Sequence, residues 1–171
     1  AGADIIDIKI PEIEALRPSN NAKSIVAAEA YQIHQARLEA GFGDQYDPLI
    51  AFRLGGGKDI LASEYIEMLQ TRKQVWKAVQ SALRGFDALG LPTAPITAPF
   101  LSELSDIEAK TLHNARCLRN SAVSNYLDRP SISIPCHEAG TPPVGLSLIG
   151  SRQHDRRLLA IAAACEETIR G

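Results

Sequence analysis

The chain has 171 residues, 45% of them hydrophobic and 22% charged, with a net charge of −2. That length supports one domain with a sizeable core, and the composition is that of a globular protein rather than a disordered one. A charge so near zero provides no field for nucleic acid or anionic membranes, and no apolar run approaches the roughly 20 residues a spanning helix needs, so neither partner is expected.

The chain opens on Ala1-Gly2-Ala3-Asp4. It has neither an initiator methionine nor a basic-then-apolar leader, so we expect no export signal and a start other than a natural one. Cys117, Cys136 and Cys165 are odd in number and widely spaced. No C-x2-C pair offers a metal site, and reduced thiols in a cytoplasmic protein are expected.

In chain order, Asp4-Ile5-Ile6-Asp7-Ile8-Lys9-Ile10 is β-branched and stops at Pro11, which predicts a strand, the end of a βαβ crossover. Ser19 or Asn20 is a candidate cap for a helix reaching about Ala40, with Ala22, Val26, Ala30 and Ile33 on one face, ended by Gly41-Phe42-Gly43-Asp44. A short helix is predicted from Tyr46 to Leu54, broken by Gly55-Gly56-Gly57. From Ser63 to Phe86, the residues Tyr65, Leu69, Val75, Trp76, Val79, Leu83 and Phe86 keep helical spacing.

Asp87 to Leu91 then reads as a short buried strand entering Pro92-Thr93-Ala94-Pro95, followed by loop to Ser105. Asp106 is placed to cap a helix reaching about Tyr126. Ser131-Ile132-Ser133-Ile134 and Val144-Gly145-Leu146-Ser147-Leu148-Ile149 are predicted strands of one hairpin, with a Gly- and Pro-rich connection. Asp155 is expected to cap a last helix with Leu158, Ile161, Ala162, Cys165 and Ile169 inward. Alternating strands and helices predict the α/β class, a mixed β-sheet covered by helices, in a single domain over 1–171.

The short motifs that suggest chemistry fail on spacing. Gly55-Gly56-Gly57-Lys58 lacks the G-x4-G-K-[ST] frame of a phosphate loop, because Phe52 and Asp59 occupy the deciding positions; a helix break is the simpler reading. Gly145-Leu146-Ser147-Leu148-Ile149-Gly150 brings its second glycine one residue late for a nucleophile elbow, and Ser147 falls inside an apolar strand. Cys136 and His137 are neighbours on an extended chain, so they are expected to point to opposite faces rather than pair. His34, His113, His137 and His154 have no i,i+3 or i,i+4 partner, so no metal ligands are expected.

Arg72 stands apart, because it falls on the helical stripe of Tyr65, Leu69, Trp76 and Val79. A buried guanidinium needs a partner, either an internal acceptor or an anionic or carbonyl-bearing substrate. Arg119 poses the same choice on a face shared with Leu112, Ala115 and Val123.

Three stretches in this order resemble the C-terminal part of the amidase signature family. Phe86 to Pro95 is similar to "D-x-L-L-x-P-T-x-P". Arg119-Asn120, Asn125-Tyr126-Leu127 and Pro130 to Cys136 together resemble "R-x-T-x-x-x-N-x-x-G-x-P-A-x-S-x-P". Pro142 to Gly150 is similar to "P-x-G-L-Q-L-I-G". Asp128-Arg129 stand where that pattern has Gly-x, and Ser131 where it has Ala. The resemblance spans at least Tyr65 to Glu167.

It implies a serine amidohydrolase that cleaves a C–N amide bond with two serines and a lysine, without cofactor. Those groups belong to the family's N-terminal half. This sequence has no Gly-Gly-Ser-Ser run, so no catalytic residue is assigned here. The resemblance implies substrate-binding positions at Arg72, Arg119 and Thr93, Arg72 lying where some members hold a substrate carboxylate. The expected partners are a small-molecule amide substrate and the missing N-terminal half, with a homo-oligomer as a further option. The alternative is a stand-alone, non-enzymatic interaction domain.

Overall fold

The structure, a computed structural model, describes residues 2–15 and 24–170. In chain order its elements are α1 (Pro11–Glu14), α2 (Ile25–Glu39), α3 (Pro48–Gly55), α4 (Ala62–Ala82), β1 (Leu89–Pro92), α5 (Ile107–Leu118), α6 (Ser121–Leu127), β2 (Ser131–Pro135), β3 (Gly145–Ile149) and α7 (Asp155–Arg170). The residues form two compact units, 19–74 on the one hand and 1–18 with 75–171 on the other.

Helix starts follow local chemistry. Ser24 Oγ accepts from Ala27 N at 3.1 Å to begin α2. Asp47 accepts from Leu49 N at 2.9 Å ahead of Pro48, whose missing N–H suits the first turn of α3. The Glu64 carboxylate reaches back to Leu61 N at 2.8 Å at the head of α4. Asp106 accepts from Ala109 N at 2.8 Å to start α5, as expected. The proposed caps Ser19 and Asn20, and the face position Ala22, lie outside the described residues.

In the unit of residues 19–74, α2 buries Ala27 and half-buries Ala28, Tyr31, His34 and Leu38. This corrects the expected face, since Val26 and Ile33 are 73% and 72% exposed. Gly57 explains the choice. A Cβ there would sit 2.1 Å from Ala27 O and 2.6 Å from Tyr31 Cβ, so the missing side chain lets the backbone after α3 lie against that stripe. The glycine run is therefore a packing contact as well as a helix end. Gly41, at φ 85°, terminates α2 in the left-handed region.

In the other unit, β3 is the central strand of an antiparallel sheet with order β1-β3-β2. Both ladders are antiparallel rather than mixed. Leu91, Ser147 and Ser133 share one row, and Gly90, Leu148 and Ile132 the next. Alternation therefore gives the sheet two distinct faces. Leu146, Leu148, Ile132 and Ile134 face α7 and pack on Leu158, Ala162, Ile161 and Cys165. On the opposite face, Leu89, Leu91 and Ile149 join Val79, Leu83, Val123, Leu127 and Ile10 in the larger core. Burial of Leu127, Ile149 and Val79 is complete or nearly so.

Several boundaries differ from those predicted. Residues 4–10 form no strand: Ile10 is buried in the core, but Ile5 and Ile6 are 90% and 61% exposed, and no described strand pairs with this segment. β-branched pattern alone cannot make a strand without a neighbouring ladder. The single helix expected from 106 to 126 is two. Arg119 N and Val123 N bond three residues back, to Arg116 O and Asn120 O, tightening the chain between α5 and α6. Asp155 is the first residue of α7 rather than its cap. Asp128, where the family pattern has glycine, closes α6 with φ 53°. Aspartate tolerates that conformation better than most residues, so the left-handed turn survives the substitution.

Candidate functional site

The inner face of the sheet changes character along its length. At the Ile149 end it is apolar and enters the core; two residues past Leu91 it carries Thr93, and two residues before Ser147 it carries Gly145. Thr93 N donates to Gly145 O at 2.8 Å, extending the β1–β3 ladder by one rung. The Thr93 and Ser133 hydroxyls meet at 2.5 Å over Gly145, linking the two outer strands across the central one. A Cβ on Gly145 would lie 2.6 Å from Ser133 Oγ and 2.8 Å from Thr93 Oγ1. Glycine is what lets the hydroxyls meet.

The junction of α5 and α6 is tied to the same end. Asn120 Nδ2 donates to Pro92 O at 2.7 Å, next to Thr93. Its Oδ1 accepts from Arg119 Nε at 3.3 Å, which fixes the plane of that guanidinium. Ser133 and Arg119 are exposed and Thr93 is half-buried. This surface is an open wall. Two clefts of this unit, about 280 Å³ beside Asp87, His154 and Arg157 and about 460 Å³ beside Asp128, Arg129 and Arg152, are lined by other residues.

Of the positions singled out in the sequence, Thr93 and Arg119 therefore come to one neighbourhood. Arg119 is not on a buried stripe, because the helix tightens before it and Leu112 is itself 43% exposed. Arg72 belongs to the other unit and is half-buried on α4, whereas its stripe neighbour Leu69 is 37% exposed. Two turns before it, Tyr65 donates its hydroxyl to Glu29 Oε1 at 2.8 Å. That bond, burial and the carboxylate charge raise the phenol above its ordinary range, while the charge of Arg72 opposes them.

Cys136 and His137 do not point apart. Both lie beyond β2, where strand alternation no longer applies, and both reach Val144 O, Cys136 Sγ at 3.8 Å and His137 Nδ1 at 3.3 Å. Ser147 stays mid-strand, paired with Ser133 and Leu91. Among the described residues no group of three His, Cys, Asp or Glu side chains is arranged to hold a metal ion.

The sequence profile of the Amidase family matches residues 1–159. The chain belongs to the amidase family. A 2-amino-5-chloromuconic acid deaminase of Comamonas testosteroni is 26% identical over 99% of this chain and 37% of its own length. A fatty acid amide hydrolase of Oryza sativa subsp. indica is 27% identical over 97% of the chain and 28% of its own length. Among solved structures, an amidase superposes with a TM-score of 0.77 at 25% identity, over 94% of this chain and 37% of that one. Kluyveromyces lactis allophanate hydrolase reaches 0.82 at 22% identity, over 95% and 26%; at that identity the likeness shows the fold alone. The chain thus spans little more than a third of these relatives at most.

Membership places this chain in a family whose named relatives include an amide hydrolase, and in an α/β fold with a small antiparallel sheet. The sequence places Ser133 and Gly145 in strands and Asn120 in the family pattern, without marking any of them as a site residue. The alternation Ser131-Ile132-Ser133-Ile134 does signal a polar sheet face. Which hydroxyl lies opposite Ser133 depends on strand order, which no local pattern reveals.

Proposed function

We propose that this chain is the substrate-side portion of an amide hydrolase, supplying sheet and pocket wall to an enzyme whose serines and lysine lie in a preceding segment. The observation that carries the reading is the hydroxyl-lined sheet end, with Arg119 beside it, in a chain of the amidase family. Its hydroxyls, Thr93 and Ser133, are bonded to one another. Arg119, fixed nearby, offers only hydrogen-bond donors and cannot serve as the base a serine nucleophile needs. A wall open to solvent suits a site completed by another part of the protein.

In this reading Arg72, Arg119 and Thr93 contact the substrate and the chain alone is inactive. Arg72 holds a substrate carboxylate, which accords with a relative named for an amino-substituted muconic acid. The free thiols Cys117, Cys136 and Cys165 suit a reducing cytoplasm. The test compares the complete enzyme with its Arg72→Met variant on one acidic and one neutral amide. Loss of kcat/KM confined to the acidic amide, by about 2–5 kcal/mol, supports the role. Equal loss on both substrates with a lowered melting midpoint makes Arg72 structural.

A second reading, a non-enzymatic interaction module, rests on Phe100, Leu101 and Ile107, which are 78%, 88% and 58% exposed. Retention of a preceding segment and turnover of any amide by the complete protein decide against it.

A further inference from the structure

We infer that Arg119, Thr93 and Ser133 form one oxyanion-accepting subsite, and that Asn120 and Gly145 are positioning residues within it. The inference rests on the amide-hydrolase reading for its biological setting, but its geometry stands apart. Count the hydrogens first. The Thr93–Ser133 pair has two hydroxyl hydrogens and uses one in the mutual bond, leaving one to donate outward. Asn120 is committed at both ends, to Pro92 O through Nδ2 and to Arg119 Nε through Oδ1. Among the described residues the terminal amino groups of Arg119 make no hydrogen bond and the side chain is exposed.

The hydrogens left over belong to one hydroxyl and to a positively charged guanidinium, beside the lone pairs that the hydroxyls keep. Such a surface takes an oxygen acceptor, and the guanidinium selects a carboxylate over a neutral carbonyl. The arrangement is also held in place. Asn120 fixes the guanidinium plane from the helix junction to the carbonyl beside Thr93. Gly145 keeps open the space in which the hydroxyls meet, since a Cβ there would lie within 2.8 Å of both oxygens. A polar surface that only needed to be wet would require neither device.

The test uses the full-length protein in an Arg72→Met background, so that Arg72 does not contribute, and acetate as the probe. Binding is read from broadening of the acetate methyl resonance, with acetamide as the neutral control. Acetate is expected to bind more tightly than acetamide. Asn120→Ala should weaken acetate by releasing the guanidinium plane, and Thr93→Val or Ser133→Ala by removing the partner that orients the remaining hydroxyl. The Thr93→Val/Ser133→Ala double variant, which removes the last outward hydroxyl hydrogen, should lose about ten-fold or more, the loss for one hydrogen bond to a charged group. Thr93→Ser, which keeps the hydroxyl, should restore binding at an unchanged melting midpoint. Gly145→Ala should weaken acetate through the displaced hydroxyls. If Thr93→Val fails to fold, Ser133→Ala carries the comparison. Equal affinity for acetate and acetamide, or acetate affinity indifferent to all these changes, overturns the subsite. Turnover is measured separately: acetate binding that follows these variants without hydrolysis of any amide removes the amidase reading and leaves the subsite. Hydrolysis with acetate binding unmoved by the variants does the reverse.

Discussion

Replacing Gly57 by alanine tests the packing of α2 against the backbone that follows α3. The new Cβ would stand 2.1 Å from Ala27 O, 2.6 Å from Ala27 C and 2.6 Å from Tyr31 Cβ. Two of these neighbours are backbone atoms of a helix interior, so no rotamer change relieves them; α2 must move by about an ångström. Forced overpacking costs about 1–3 kcal/mol, and a backbone collision belongs at the upper end. Gly57 is not in the left-handed region, so alanine recovers about 0.4–1 kcal/mol by restricting the unfolded chain. The net expectation is a loss of about 2 kcal/mol, or roughly 4–8 °C for a chain of this size. Thermal unfolding gives the magnitude, and amide exchange should show protection lost in α2 but kept in β3. An unchanged or raised midpoint would refute the packing argument. Gly145→Ala is the contrast, because its Cβ meets two hydroxyl ends that can rotate away.

Leu127→Ala, at a fully buried core position, should cost about 2–5 kcal/mol in denaturant unfolding; a loss under 1 kcal/mol would mean that the core collapses around the cavity. Asp106 is held below its ordinary value of 3.8, first by the Ala109 N–H and then by Ser105. Its folded state is thus favoured above that pH, and the contribution disappears as acid takes the pH down through the lowered folded value. Asp106→Asn should flatten this part of the acid stability curve, and a curve identical to wild type would contradict the cap. At Asp128, φ 53° makes glycine the natural replacement, so Asp128→Ala should cost about 1–2 kcal/mol more than Asp128→Gly in the same unfolding assay. Equal stability of the two would show that the turn relaxes.

What the sequence disclosed was local. Asp47-Pro48, Asp106 and the apolar spacing of α4 mark helix starts and stripes through chemistry confined to a few residues. The alternation in β2 and β3 shows both strands. Residues 4–10 misled because their pattern is that of a strand, while a strand exists only with a ladder partner. The face of α2 misled because Val26–Ile33 and Ala27–Tyr31–Leu38 are both apolar series. Gly57, some thirty residues away, settles which is buried. Thr93 was legible through the Pro92-Thr93-Ala94-Pro95 motif. Its bond to Ser133 was not, since the two meet only after β3 has inserted between their strands. A continuous helix would put Arg119 on a buried face, but two three-residue bonds change the phase at that point.

If this chain walls the site, another segment attacks the amide. The most direct measurement treats the full-length protein with a serine-directed fluorophosphonate and locates the modified residue by peptide mass spectrometry. An activated serine reacts because a neighbouring base takes its proton, whereas the Ser133 hydroxyl bonds to that of Thr93. The account predicts a single labelled serine outside these 171 residues and loss of amide hydrolysis in proportion to labelling. Stoichiometric label on Ser133, Ser147 or any other serine of this chain, with the same loss of activity, would contradict it.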